Sequence, residues 1–108
     1  MVREIQPQEL AAKLQAGEPV YLLDVRQPWE HQIAALPGSK LIPLGSLRTR
    51  TGEIACPAGV PLVVYCHHGM RSLRAAVFLE RVGVAGVASL AGGIDAWSCE
   101  VDAAVPRY

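Results

Sequence analysis

A chain of 108 residues has room for one hydrophobic core, and an apolar content of 51% is enough to build it. Ten Lys and Arg balance ten Asp and Glu, so no global charge favours nucleic acid or an anionic membrane. No stretch approaches the roughly 18 uncharged apolar residues that cross a bilayer, and the opening Met1-Val2-Arg3-Glu4-Ile5-Gln6-Pro7 has no apolar run of the signal-peptide kind.

The expectation is therefore a soluble cytoplasmic protein, with residues 1–108 as a single domain. Along it, short apolar runs alternate with helix-like segments. Pro7 to Ala16 reads as a helix: Pro7 suits a first turn, Leu10 and Leu14 share a face, and Gly17 ends it. Val20 to Val25 is an apolar run without a polar face, as in a strand covered on both sides. Pro28-Trp29-Glu30 opens a second helix that stops near Pro37-Gly38, and Lys40 to Pro43 reads as a strand. Gly45 to Gly59 is rich in Arg, Thr, Gly and Pro and reads as a loop with one helical turn at most. Leu62-Val63-Val64-Tyr65 is the clearest central strand. The best helix runs from Ser72, its expected cap, to Val82 before Gly83. Val84 to Leu90 forms the last strand, and Gly92-Gly93 turns the chain into a short helix, Ile94 to Ser98. Such alternation implies right-handed crossovers and an open, doubly wound parallel α/β sheet. Ligands of these sheets sit at the carboxyl ends of the strands.

That rule points to Cys66, which lies between the central strand and the best helix, followed by His67-His68-Gly69-Met70-Arg71. A loop there can aim backbone N–H groups at the sulfur, and the following helix adds the positive end of its dipole. Arg71 adds a cation. An isolated thiol, with a pKa near ~8.5, is only about 3% ionised at pH 7, so a loop that favours the thiolate raises the reactive fraction directly. The same donors can hold an anionic sulfur donor. An inert packed thiol explains a Cys at a strand end before His-His-Gly-Met-Arg poorly. Cys56, Cys66 and Cys99 are odd in number and widely spaced, which makes neither a disulfide framework nor a dithiol motif.

Tyr65-Cys66-His67-His68-Gly69-Met70-Arg71-Ser72 resembles the active-site loop of rhodanese domains. So do Leu23 to Glu30, Leu36 to Pro43 and Leu90 to Trp97, in the family's order and over nearly the whole chain. The resemblance implies a five-stranded parallel sheet flanked by helices. It implies too that Cys66 takes sulfane sulfur from thiosulfate or a persulfide donor and passes it to a nucleophilic acceptor. His67, His68, Gly69, Met70 and Arg71 would then bind substrate, with Arg71 closing the loop. Asp24, Arg26 and Glu30 resemble the family's Asp-x-Arg-x-x-x-Glu stretch and are expected, with Ser72, to act structurally beside the site. The phosphatases that share this fold have a Cys-to-Arg loop one residue longer, a wider cradle suited to phosphate.

Other residues of the chain carry further expectations. His67 and His68 diverge if the loop curls, so that at most one faces the substrate. With Cys66 they make a poor metal site, since adjacent residues rarely converge on one ion. No metal and no organic cofactor is expected. His31 reads as a surface helix residue, and Trp29 and Trp97 as core or edge packing. Nothing brings Cys56 or Cys99 towards Cys66 as a resolving thiol. The alternative function is a weakly catalytic rhodanese-fold module that docks a sulfur-carrier or other protein. The closing Val101 to Tyr108 resembles tails of rhodanese domains attached to enzymes that adenylate sulfur-carrier proteins, which adds a protein sulfur donor or acceptor to the expected partners. Nucleic acid and membrane are not among them.

Overall fold

The computed structural model describes residues 2–108. Its organising element is the strand β4, Leu62–Tyr65, whose four residues are at most 1% exposed. Side chains alternate across a strand, so an all-apolar run is stable only where both faces are covered. Leu62 and Val64 face one cluster, built with Ala75, Ala76 and Leu79; Val63 and Tyr65 face another, built with Leu10, Ile94 and Trp97. Burying each large aliphatic side chain in these clusters is worth about 1.5–3 kcal/mol.

Around β4 stand β1 (Arg3–Ile5), β2 (Tyr21–Asp24), β3 (Lys40–Leu41) and β5 (Val87–Leu90). All pairings are parallel, in the order β1-β5-β4-β2-β3. The helices α1 (Pro7–Gln15) and α5 (Gly93–Glu100) cover one face, while α3 (Leu47–Arg50) and α4 (Met70–Arg81) cover the other. A short helix, α2 (Pro28–Ile33), follows β2. This is the five-stranded, doubly wound parallel sheet expected. The chain leaves β2 towards β3 but leaves β4 towards β5, in opposite directions. The carboxyl ends of β2 and β4 therefore flank a switch point, where such sheets open a crevice. No helix among the described residues is long and apolar enough to cross a membrane.

Several expectations change, and α2 ends at Ile33 rather than near Pro37-Gly38. Strand β1 carries no strand pattern of its own: it has three residues, only Ile5 is buried, and its place is set by pairing with β5. The strands expected at Lys40–Pro43 and Val84–Leu90 shorten to Lys40–Leu41 and Val87–Leu90. The segment after Gly45 holds more than one turn: α3 lies between 3₁₀ turns at Leu44–Ser46 and Thr51–Glu53. Ser72 does not cap α4. The helix starts two residues earlier, capped by Gly69 at φ +104°, a left-handed conformation that glycine reaches without a Cβ penalty.

The second glycine that the fold requires is Gly93. There α5 begins directly against the loop after β4: Ile94 N–H donates to the Cys66 carbonyl at 2.8 Å and Asp95 N–H to that of His67 at 3.1 Å. A Cβ on Gly93 would run into the backbone of Cys66 and His67, and its φ is +64°. Gly83 has a left-handed φ of +94° too, but open space around it. Gly83→Ala should therefore cost about 1 kcal/mol, from backbone conformation alone. Gly93→Ala, which adds a collision, should cost more than about 2 kcal/mol. Urea unfolding of the two variants checks the difference; equal losses would mean that the approach of α5 to the loop is not tight.

Candidate active site

Cys66 continues the alternation of β4 and so faces α4, with 1% exposure. Burial alone would suit an inert core thiol. Its partners do not: the Gly69 N–H points at Sγ from 3.1 Å and the Ser72 N–H from 3.3 Å. Both donors come from the first turn of α4, whose N–H groups have no intrahelical acceptor. The left-handed turn at Gly69 bends the chain so that this turn lies over the sulfur. The thiol also lies 3.5 Å from Ser72 Oγ, which in turn is 2.8 Å from Ser89 Oγ and 3.1 Å from the Gly69 carbonyl. Ser72 and Ser89 are both wholly buried. A hydroxyl can rotate, so Ser72 can accept from the thiol or turn its hydrogen to a thiolate while Ser89 donates to it.

Arg71 turns its guanidinium to Glu30. It grips Glu30 in a two-pronged pair, Nη1 to Oε1 at 2.6 Å and Nη2 to Oε2 at 2.9 Å. Glu30 also accepts the Gln27 N–H in a capping box at the start of α2. Beneath lies Arg26, whose Nε and Nη2 bond the two carboxylate oxygens of Asp24 at 2.9 and 2.8 Å, with both side chains at 0% exposure. Burial works against the charge on Arg26, but hydrogen bonds to Asp24 and Tyr108 outweigh it and raise its pKa. The expected ion pairing of Asp24, Arg26 and Glu30 thus takes a definite form: one inner pair, and one outer pair that anchors the loop through Arg71. His31 stands on α2 with its side chain partly exposed, and its Nδ1 lies 2.8 Å from Asp24 Oδ2, a contact that the sequence did not suggest.

His67 and His68 do not diverge. Their rings stack with centroids 3.9 Å apart, because the ring of Tyr108 forms a platform under His67, at 3.9 Å and 9°. Burial, and secondly the neighbouring His68, hold the His67 pKa below its ordinary value. His68 Nδ1 stands 3.9 Å from Asp95 Oδ2, and Asp95 is bound by Arg107. Trp97 is buried as expected, but Trp29 is 59% exposed and meets Tyr108 edge-on. Met70, at the first position of α4, is 72% exposed. Cys56 and Cys99 are free; the Cys56 thiol donates to the Val60 carbonyl at 3.2 Å and is pushed up by burial. No group of His, Cys, Asp and Glu among the described residues is arranged to hold a metal ion.

Two contributors were missed. Ser89 is the lone hydroxyl in the apolar run Val87 to Leu90, a buried polar residue that the pattern could have flagged. Tyr108 lies 82 residues from Arg26, and its hydroxyl accepts from Arg26 Nη1 at 2.8 Å while donating to Glu30 Oε2 at 2.7 Å. No local pattern marks that contact.

The hydrogen bonds from Arg71 lower the Glu30 carboxyl to about 2 despite its burial. Folded Glu30 thus holds its proton more weakly than unfolded Glu30. Its stabilisation is complete above the ordinary value of 4.5 and is lost as pH falls towards about 2. At about 1.4 kcal/mol per pKa unit the loss amounts to about 3 kcal/mol. In urea melts between pH 6 and pH 3, the gap between the wild type and Glu30→Gln should narrow as pH falls. A gap constant with pH would mean that the Glu30 charge does not contribute.

A family model described as a rhodanese-like domain matches residues 6–100. The chain is 36% identical over 98 residues to a protein of Allochromatium vinosum named sulfurtransferase, covering 91% of this chain and 90% of that one. It is 38% identical over 114 residues to the chloroplastic rhodanese-like/PpiC domain-containing protein 12 of Arabidopsis thaliana, covering 99% of this chain. It spans 38% of the length of that plant protein. The crystal structure of a rhodanese-related protein from Thermoplasma volcanium superposes with a TM-score of 0.80 at 30% identity, over 92% of this chain and 93% of the other. With the parallel sheet, the loop after β4 and these relatives in agreement, the chain belongs to the rhodanese-like family, which includes sulfurtransferases.

Proposed function

We propose that the protein transfers sulfane sulfur through a persulfide on Cys66. The observation that carries this reading is the pair of N–H groups, from Gly69 and Ser72, aimed at Sγ. A thiol buried for packing needs no such donors. A sulfur that must carry negative charge does, both as the attacking thiolate and as the outer sulfur of a persulfide.

The reaction has two halves. The Cys66 thiolate attacks the outer sulfur of thiosulfate; a Cys66 S–S bond forms, and the bond to the sulfite sulfur breaks with its electron pair leaving on sulfite. An acceptor such as cyanide then attacks the outer sulfur, forms thiocyanate, and returns the electron pair to Cys66 as thiolate. A protein persulfide donor would follow the same course with a thiolate leaving group. Ser72 adjusts its hydroxyl to whichever charge the sulfur bears, supported by Ser89. In this reading the loop residues His67, His68, Gly69, Met70 and Arg71 bind the anionic donor. The short loop from Cys66 to Arg71 disfavours phosphoryl chemistry. A cytoplasmic setting and a protein sulfur donor or acceptor, suggested by the resemblance of the closing stretch, belong to the same reading.

Thiosulfate should add the mass of one sulfur atom to the intact protein, and cyanide should remove it. Cys66→Ser should lose both the added mass and thiosulfate:cyanide activity, while Cys56→Ser and Cys99→Ser keep most of each. Substantial activity in Cys66→Ser would sink the assignment, as would a wild type that never gains sulfur from thiosulfate or a cysteine persulfide. Efficient hydrolysis of aryl phosphates would overturn the loop-length argument.

In Ser89→Ala the Ser72 hydroxyl loses its buried partner, which should lower thiosulfate:cyanide kcat about three- to tenfold. Unchanged kcat in a folded Ser89→Ala would remove Ser89 from the sulfur's support.

A further inference from the structure

Tyr108 touches both ion pairs and the loop. Its hydroxyl accepts from Arg26 Nη1 at 2.8 Å and donates to Glu30 Oε2 at 2.7 Å, so it splices the inner pair, Asp24–Arg26, to the outer pair, Glu30–Arg71. Its ring stacks on His67, the residue next to Cys66. Two independent contacts of one residue therefore converge on the two flanks of the sulfur loop.

We propose that Tyr108 is a positioning residue of the Cys66 site: its hydroxyl sets the Glu30–Arg71 pair for an incoming anion, and its ring fixes His67 on the loop. This rests on the reading of the Cys66 loop as a sulfur-transfer site that accepts anionic donors.

The electrostatics give the hydroxyl a direction of effect. Glu30 is a buried carboxylate beside the place where a doubly negative donor would bind, and it accepts three donors: Arg71, Gln27 N–H and Tyr108 O–H. Each of them offsets part of its charge. Desolvation pushes the Tyr108 phenol up to about 12, so it stays a neutral donor and never adds a negative charge of its own. Without the hydroxyl, Glu30 presents more unbalanced charge, and Arg26 Nη1 keeps only a 3.4 Å contact to the Glu30 carbonyl. Anions then bind more weakly. The ring acts separately. Its stacking with His67 is nearly parallel, which covers one face of that imidazole while His68 covers the other.

The two roles separate in Tyr108→Phe, which keeps the ring, and Tyr108→Leu, which loses both. Thiosulfate:cyanide kinetics are measured on the full chain. Alkylation of Cys66 by neutral iodoacetamide and by anionic iodoacetate is measured in a background lacking Cys56 and Cys99. In Tyr108→Phe, KM for thiosulfate should rise roughly three- to tenfold, the loss of one charge-assisted hydrogen bond in part, with kcat within about twofold. The iodoacetate rate should fall relative to iodoacetamide, while the iodoacetamide rate itself stays as in the wild type. In Tyr108→Leu the iodoacetamide rate should change as well, because His67 is released. Should Tyr108→Leu fail to fold, Tyr108→Phe carries the test alone. A Tyr108→Phe variant with unchanged KM and unchanged reagent ratio overturns the proposal, even if its melting temperature drops, since that is what a merely structural prop would give. If the wild type transfers no sulfur, the reading of Cys66 fails, but the ratio of the two alkylation rates still decides whether Tyr108 controls the field at its sulfur.

Discussion

Arg26 is fully buried, and the rest of the site is arranged around the need to satisfy it. A guanidinium carries five N–H donors and keeps its charge at any working pH. Taking it out of water costs several kcal/mol unless every donor finds an acceptor. Asp24 answers two donors as a fork, and carbonyls of Glu30 and Ala34 and the Tyr108 hydroxyl answer the others. These acceptors come from the end of β2, from α2 and the residue after it, and from the end of the sequence. Arg26 thereby fixes where α2 sits, and α2 carries Glu30 to Arg71. The pair itself adds little net stability against an apolar substitute, but breaking it from one side costs about 3–5 kcal/mol. What it supplies is a fixed angle between α2 and the loop after β4.

The central elements were legible in the sequence, because their patterns are their own. β4 is apolar at every position, so it had to be a covered strand; α4 has an apolar face and a terminating Gly83. Cys66 could be found because the residues after it, not the thiol itself, departed from packing logic. What could not be read depends on neighbours. β1 has one buried residue and exists through its pairing with β5. Ser72 looked like a helix cap by residue type, but Gly69 took the cap since only a left-handed residue turns the chain tightly enough to bring the first turn of α4 over the sulfur. Ser72 was thus left free to face the thiol. Nothing local shows that Asp24 lies within reach of His31. The stacking of His67, His68 and Tyr108 escapes sequence reading for the same reason: it joins the loop after β4 to the last residue of the sequence.

The two pairs also decide what kind of field acts on the sulfur. Arg71 is bound by Glu30, and Arg26 by Asp24, so two cations and two carboxylates cancel to first order. A bare cation beside the thiol would have attracted any anion, including those that lead nowhere. The uncancelled part is the pair of backbone N–H groups of Gly69 and Ser72, backed by the α4 dipole. Backbone dipoles do not titrate, need no counter-ion and cannot swing away. They also act over a short range, so they favour negative charge at the position of Sγ and at an atom bonded to it, rather than over a wide basin. A site built this way is selective by place. Under the proposed function, such a site would hold the negative charge of the attacking sulfur and of an outer sulfur one bond away, and would leave recognition of the rest of the donor to the pairs and rings around the rim.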